Sequence, residues 1–271
     1  MSRRLDRSAT AAAGKRPAYF TATLAKGLDV LETLSALEGA GLTELGKRTG
    51  VSAPTLFRIL ATLAERGFVE KNAATGRYRA TLKAWELGAL VVRRLTLREV
   101  ARPHLEALLA ESNEAPHLAV LQGGGVVIID RLEAPHPVRV DTYVGLRAPA
   151  HCSATGKAIL AFLPKPALEA VLAGPLTRFT ATTAVDRAAV ERELALVRQR
   201  GYAINQEEWR RGVCAIAVPI HGSGGDVVGS LSLTMPTERF QRGALERRFL
   251  RPLRRATAAI SLDLGGLARA G

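Results

Sequence analysis

The chain has 271 residues, more than one typical domain of about 100–200 residues needs, so we expect at least two domains. Its 38 Lys and Arg residues against 25 Asp and Glu give a formal net charge of +13, which favours a polyanionic partner, although an arginine-rich composition alone produces the same excess. Because its apolar runs are short and it has only two cysteines, we expect a cytoplasmic protein without membrane contact or a disulfide scaffold.

The N-terminal third predicts a short arm followed by a winged helix-turn-helix. Residues 1–19 are rich in Ser, Ala, Arg and Lys without apolar periodicity, which predicts a flexible basic arm. Residues 20–81 predict three helices and two short strands, with Gly50 allowing the tight turn before the third helix. Ser52 is the expected cap of that helix, with Pro54 in its first turn. This order of elements is typical of a winged helix-turn-helix that reads a double-stranded DNA operator.

The outward face of the third helix suits the major groove of DNA. There Arg58 could reach a guanine or a phosphate, and Thr55 a phosphate or a thymine methyl group. The residues expected to contact DNA come from the turn, this helix and the basic wing: Lys47, Arg48, Ser52, Pro54, Thr55, Phe57, Arg58, Lys71, Arg77 and Arg79. A winged helix used for protein contacts, with its charges merely solvated, is the alternative.

Residues 82–113 predict two linker and dimerisation helices. Their apolar side chains suit pairing with a second copy in a homodimer or homotetramer, although the same stripe could pack on its own domain. These side chains are Leu82, Leu87, Leu90, Val91 and Leu95.

Residues 114–271 predict a mixed α/β domain. Strands are expected at 117–121, 126–131, 138–144, 213–221 and 227–235, and helices at 151–163, 166–172, 187–201 and 244–264. Together with the N-terminal domain, this predicts an α+β protein.

Six fragments, in this order and spacing, resemble the IclR family of bacterial transcriptional regulators from about residue 22 to 264. They are AKGLDVLETL, LTELGKRTGVSAPTLFRILATLAERGFVE, GRYRATLKAWELG, VGLRAPAHCSATGKAILAFLP, RGYAINQEEWRRGVCAIAVPI and GDVVGSLSLTMP. The resemblance implies a dimer that binds an operator palindrome and carries a GAF-like effector-binding domain for small organic acids or aromatic metabolites. It leaves open whether the protein is a repressor or an activator, and a contact with RNA polymerase is a further partner to consider.

The segment from Ser153 to Gly156 is the candidate effector site. Small residues at a helix start leave backbone N–H groups unshielded, which suits a carboxylate, while close packing of the helix on a sheet is the alternative. The resemblance favours a binding site and adds residues near the strand 213–221. The expected effector-binding residues are Asp141, Cys152, Ser153, Ala154, Thr155, Gly156, Glu207, Glu208, Val213, Cys214, Ala215 and Ile216. Whether Cys214 or Ala215 faces the cavity depends on the alternation of the strand, and Trp209 suits either a lid or ordinary packing.

Two other functions are alternatives to a regulator controlled by an organic effector. An enzyme is not favoured, because no serine lies in a nucleophile elbow and the adjacent His151 and Cys152 point in different directions on a helix. A metal-responsive regulator using the same cavity is the second alternative, with ligands from His151, Cys152, Glu208 and Cys214, although no tight Cys/His spacing supports it. No cofactor and no catalytic or metal-binding residue is predicted.

Overall fold

The computed structural model describes residues 19–93, 96–241, 243 and 245–270. Its contacts divide this part of the chain into two compact units, residues 19–93 and 96–270. Both contain helices and strands, which confirms the predicted α+β class. The predicted basic arm lies outside the described residues except for Tyr19, as do Leu95 and the side chain of Val91.

The first unit is the predicted winged helix-turn-helix followed by one linker helix. Its elements are α1 (Ala22–Ser35), α2 (Leu42–Thr49), α3 (Ala53–Glu65), β1 (Val69–Lys71), β2 (Tyr78–Ala80) and α4 (Lys83–Arg93). Apolar side chains at helical spacing form its core, because Leu34, Leu45, Leu56 and Leu60 are fully buried.

The turn between α2 and α3 follows the prediction at Gly50 but not at Ser52. Gly50 has a φ of 70°, a left-handed conformation that glycine adopts without strain, and its N–H donates to the carbonyl of Gly46. Ser52 occupies the cap position, but its side chain accepts no backbone hydrogen bond. Its hydroxyl donates instead to Oγ1 of Thr55 at 3.1 Å, so the predicted side-chain capping bond was wrong.

The second unit is one antiparallel six-stranded sheet with helices on both faces. Its strand order is β5-β4-β3-β8-β7-β6. Its elements are α5 (Thr96–Ser112), β3 (Ala115–Gln122), β4 (Gly125–Arg131), β5 (Arg147–Pro149), α6 (Ala154–Leu160), α7 (Lys165–Leu172), α8 (Arg187–Arg200), β6 (Ala203–Gln206), β7 (Val213–His221), β8 (Val227–Pro236), a 3-10 turn (Thr237–Arg239), a π-helical turn (Leu245–Leu250) and α9 (Arg251–Ala270).

Side chains alternate between the two faces of this sheet. On β7, Ile216 and Val218 pack in the apolar cluster that contains the core residues of α5 and α9. Ala215 and Ala217 point the other way, into the cluster that contains the core residues of α6, α7 and α8. We call the second side the α6 face.

The structure departs from the prediction in three strands of this unit and at the start of α6. Residues 138–144 form no strand, and Val138 and Tyr143 are exposed, so their apolar alternation has no sheet face to cover. The edge strand is β5 instead, and the polar strand β6 was not predicted. Helix α6 begins at Ala154, three residues later than predicted, because Ser153 caps it by accepting from the N–H of Gly156 at 3.2 Å.

Candidate functional site

One face of α3 is exposed and carries the side chains predicted to contact DNA. Leu56, Ile59 and Leu60 are buried in the core, whereas Phe57 and Arg58 are exposed, with Phe57 at 56%. This helix therefore presents an aromatic ring and a guanidinium group to solvent. Such a face matches the dimensions and chemistry of the major groove.

The predicted basic residues differ in how far their charge is already compensated. Arg48 and Arg77 share one carboxylate, since both lie within 3.3 Å of Glu44 oxygens, and Arg79 pairs with Glu70. Such exposed pairs contribute at most about 1 kcal/mol and are readily exchanged for a phosphate.

Three other basic side chains of this unit are not paired with a carboxylate among the described residues. Lys47, Arg58 and Lys71 make no ion pair among the described residues. The ammonium of Lys71 lies 5.5 Å from the centre of the Tyr78 ring, which positions it on the wing. Among the residues predicted to contact DNA, these three cations are the ones most directly available to a polyanion.

A cavity of about 40 Å³ lies on the α6 face of the sheet. A water molecule needs roughly 10–15 Å³ by this measure, so the cavity has room for a few waters or a small polar molecule. Its lining is His117, Ile128, Val140, Thr142, Ala148, Ser153, Ala154, Thr155, Asn205, Trp209, Arg210, Val213, Ala215, Ser232 and Thr234. Hydroxyl groups from several separate elements therefore converge on one small space.

The structure brings only some of the predicted effector-binding residues to this cavity. Those that line it are Ser153, Ala154, Thr155, Val213 and Ala215. Cys214 and Ile216 lie in β7 with side chains on the opposite face of the sheet, so the alternation of the strand selects Ala215. Cys214 there contacts Oγ1 of Thr237 at 3.5 Å.

Two residues of the predicted segment have a packing role. A Cβ atom on Gly156 would lie 2.2 Å from the carbonyl oxygen of Ala150, so only glycine fits this close approach. Cys152 is fully buried, and burial, with the nearby Glu208 carboxylate, raises the pKa of its thiol to about 12. A thiolate is therefore strongly disfavoured at Cys152.

The two predicted glutamates hold the loop that carries two lining residues of the cavity. The carboxylate of Glu207 accepts from the N–H of Gly212 at 2.7 Å and from the hydroxyl of Thr237 at 3.0 Å. The two carboxylate oxygens of Glu208 lie 2.6 and 2.8 Å from Nζ of Lys157. Burial raises the pKa of Glu208, and the nearby charge of Lys157 partly offsets this rise. Neither glutamate lines the cavity, but together they fix residues 207–212, which carry Trp209 and Arg210.

Asp141 lies beside the cavity and not in its lining. Its neighbours Val140 and Thr142 line the space, while the carbonyl oxygen of Asp141 accepts from Nη1 of Arg210 at 3.2 Å. The backbone at Asp141 thus touches the loop that carries Arg210.

His117 is a lining residue that the sequence did not reveal. Its Nδ1 lies 2.9 Å from the hydroxyl of Thr234, and its Nε2 lies 3.0 Å from that of Thr142. Complete burial, with a smaller effect of Arg131, lowers the pKa of His117 to about 3, so the ring is neutral near pH 7. A neutral imidazole donates from one nitrogen and accepts at the other, which leaves one threonine hydroxyl free to donate and the other free to accept.

Comparison with known protein families identifies the family to which this chain belongs. Residues 23–73 match the IclR helix-turn-helix domain, and residues 89–262 match the C-terminal domain of the bacterial transcriptional regulator IclR. The chain belongs to the IclR family. It is therefore a transcriptional regulator and not an enzyme, as the sequence predicted.

Members of the IclR family from several bacteria are similar over most of their length. The chain is 34% identical to the regulator XynR of Escherichia coli over 83% of this chain and 89% of XynR. It is 31% identical to the regulator KdgR of Dickeya chrysanthemi over 98% of this chain and 87% of KdgR.

Solved IclR-family structures share the fold. The IclR protein of Thermotoga maritima has a TM-score of 0.72 at 28% identity and covers 90% of this chain and 98% of its own. An IclR homologue of Microbacterium hydrocarbonoxydans complexed with 4-hydroxybenzoate has a TM-score of 0.73 at 30% identity, and covers 92% of this chain and all of its own.

The metal-responsive alternative finds no support in the grouping of side chains. Within the described ranges, no three His, Cys, Asp or Glu residues lie together as metal ligands. Cys214, one of the four candidate metal ligands, points away from the α6 face that holds the cavity.

Among the described helices, none has the length and apolar character needed to cross a membrane.

Proposed function

We propose that this IclR-family regulator binds a specific DNA operator through α3 and the wing, and that a small organic acid in the C-terminal cavity changes its affinity for that operator. The observation that carries the proposal is the polar cavity on the α6 face. Separate strands, α6 and two loops contribute residues with hydroxyl, amide and guanidinium side chains to its lining. Pockets with a few convergent polar groups are typical of small-molecule sites. The protein would act in the cytoplasm, where its operator is accessible.

The proposed DNA contacts divide into two kinds. On α3, Arg58 and Phe57 are exposed. In this proposal they meet base edges, together with Pro54 and Thr55 near the start of the helix. In this proposal the remaining predicted residues contact phosphates from around this helix and from the wing. They are Lys47, Arg48, Ser52, Lys71, Arg77 and Arg79. Phosphate contacts position the protein, whereas contacts to base edges select the sequence.

We also propose that the protein acts as a homodimer, with a homotetramer as the further assembly. Leu24 and Leu28 follow one another at helical spacing on α1 and are 62% and 53% exposed. On the linker segment, Leu82, Trp85 and Leu90 are at least half exposed, so the first unit carries apolar surface that suits a second copy. Sedimentation should show a dimer at micromolar concentration, and a monomer with full operator affinity would contradict this assembly.

The size of the cavity favours a small aliphatic acid. An engineered protein cavity that binds benzene measures about 150 Å³, whereas this cavity measures about 40 Å³. An acid of two to four carbons therefore suits the space better than an aromatic acid such as the 4-hydroxybenzoate of the Microbacterium homologue. An aromatic effector would require the loop 207–212 to move outward.

A thermal-shift panel followed by operator binding tests the proposal. Glycolate, lactate, pyruvate and 4-hydroxybenzoate are the probes, and an effector present at 100 times its Kd should stabilise the fold by about 2.7 kcal/mol. The stabilising acid should then change the affinity for operator DNA but not for random DNA. If no acid changes operator binding, effector control by this cavity is contradicted. Expression of a reporter gene placed behind the operator, in cells with and without the protein, shows whether the protein represses or activates.

A further inference from the structure

The charge of the cavity lining is unbalanced. Within the lining, the only side chain that carries a formal charge near pH 7 is that of Arg210, because the pKa of His117 is lowered to about 3. The remaining polar groups are hydroxyls and the amide of Asn205, which are neutral. The lining therefore contains one cationic residue and no acidic residue.

The contacts of Arg210 leave part of its hydrogen-bonding capacity unused. Its Nη1 donates to the carbonyl oxygen of Asp141 at 3.2 Å, and its guanidinium carbon lies 4.3 Å from the centre of the Trp209 ring. It makes no ion pair of 4 Å or less among residues 19–93, 96–241, 243 and 245–270. A guanidinium has five N–H donors in a rigid fork that matches a carboxylate, so donors remain for a ligand.

Two contacts orient the side chain of Arg210. The ring of Trp209 stacks against the guanidinium of Arg210. Glu208, the residue before Trp209, is anchored by the buried Lys157. The backbone carbonyl of Asp141 holds it from the other loop. A cation that is held in place before the ligand arrives loses little side-chain freedom on binding, which favours both affinity and selectivity.

We propose that Arg210 is the residue that selects a carboxylate as the effector, by pairing with it at the wall of the cavity while the neutral hydroxyls hold the rest of the molecule. This inference rests on the proposed effector function of the cavity and adds which residue recognises the charge.

Matched pairs of acids and their amides test this role directly. Calorimetric titration uses glycolate with glycolamide, lactate with lactamide, and 4-hydroxybenzoate with 4-hydroxybenzamide, which differ in charge and little in shape. We expect the wild-type protein to bind at least one acid about tenfold or more tightly than its amide, the range of a charge-assisted hydrogen bond. Arg210→Gln should weaken the acid by about the same factor and leave the amide within about twofold.

Arg211→Gln is the matched control, because it removes the same charge from the neighbouring residue. Arg211 is exposed and does not line the cavity. It should keep the wild-type ratio of acid to amide affinity, and Arg210→Lys should retain part of it. An unchanged ratio in Arg210→Gln would overturn the proposal, and so would a wild-type protein that binds no acid or prefers the amides.

Ala154→Phe separates this outcome from failure of the proposed function. The new ring would fill the cavity, so both members of each pair should lose binding. If acids still bind Ala154→Phe as they bind the wild type, the effector site lies elsewhere and the proposed function of the cavity fails. If Ala154→Phe abolishes binding while Arg210→Gln keeps the acid preference, the cavity is the site and only the role of Arg210 is wrong.

Discussion

The two units of the molecule bury different kinds of residue. In the first unit, the described buried side chains are apolar apart from the ring of Tyr78, as in Leu34, Leu56 and Leu60. The second unit also buries charged and polar side chains, among them Glu114, His117, Asp130 and Lys157. The first unit therefore has an apolar core with its polar chemistry on the surface, whereas the second encloses polar chemistry between its sheet and helices.

This difference predicts how a mutation in each unit changes the stability of the protein and its binding of ligands or DNA. A buried polar group is tolerated only when it is paired, so changes in the second unit should alter stability as well as binding. Exposed side chains of the first unit contribute little to stability, so changes there should alter DNA binding alone.

The largest effect is expected from breaking the buried ion pair of the second unit. Lys157 is only 3% exposed and lies 2.6 Å from Glu208. Lys157→Met should lower the free energy of unfolding by about 3–5 kcal/mol, because the Glu208 carboxylate is left buried without its partner. Urea denaturation measures this change.

The exposed Arg48–Glu44 pair of the first unit is the control. Arg48→Met should cost about 1 kcal/mol or less. The double variant Lys157→Met, Glu208→Leu should recover much of the lost stability, since it removes both charges. Equal costs for Lys157→Met and Arg48→Met would contradict the distinction between the two units.

The next effect is a pH dependence that originates at His117. Its pKa is 6.5 in the unfolded chain and about 3 in the folded protein, so between these values the unfolded chain binds the proton and stability falls as the pH falls. From pH 7 to pH 5, this single group should lower the free energy of unfolding by about 2 kcal/mol.

Urea denaturation of wild type and His117→Gln at both pH values isolates this contribution. The wild type should lose about 2 kcal/mol more than the variant over this range, while stability above pH 7 should depend on pH equally in both. Parallel losses on acidification would show that His117 is not a buried neutral group.

The structure explains why the first unit was easier to predict than the second. Helix spacing and the Gly50 turn identify the winged helix-turn-helix from local sequence alone. The cavity instead collects His117 from β3, Asn205 from β6 and Arg210 from a loop, and no local pattern links residues so far apart. The segment 138–144 alternates like a strand although it pairs with none, because alternation records side-chain character and not hydrogen bonding.

The choice between Cys214 and Ala215 shows, within a single strand, that a local pattern does not determine which side chains reach the cavity. The strand 213–221 was predicted with its observed bounds, but alternation states only that neighbours face opposite sides. Which side holds the cavity is set by α6 packing on that face, and this packing depends on contacts far apart in sequence.

An intermediate effect, confined to DNA binding, is expected at Arg58. Arg58→Ala should weaken operator binding by about 1–3 kcal/mol if the guanidinium reads a base, with a change in stability within about 0.5 kcal/mol. Arg66→Ala, at the exposed end of α3, should bind the operator as the wild type does. Gel shifts with operator and random DNA measure both, and equal losses on the two DNAs would make Arg58 a phosphate contact.

The smallest effect is expected on the wing. Lys71→Ala removes one proposed phosphate contact, so operator and random DNA should be weakened to a similar extent. The slope of log K against log salt should become less steep by about 1. An unchanged salt slope would remove Lys71 from the DNA interface.

The most direct test of the account is effector-dependent operator binding by the wild type and Ala154→Phe. In the wild type, the acid that binds the cavity should change operator affinity by about 5–150-fold, and operator DNA should change the affinity for the acid by the same factor. Ala154→Phe should bind the operator like the acid-free wild type and should not respond to the acid. A variant that still responds fully, or a bound acid that leaves wild-type operator affinity unchanged, would contradict control of the winged helix by this cavity.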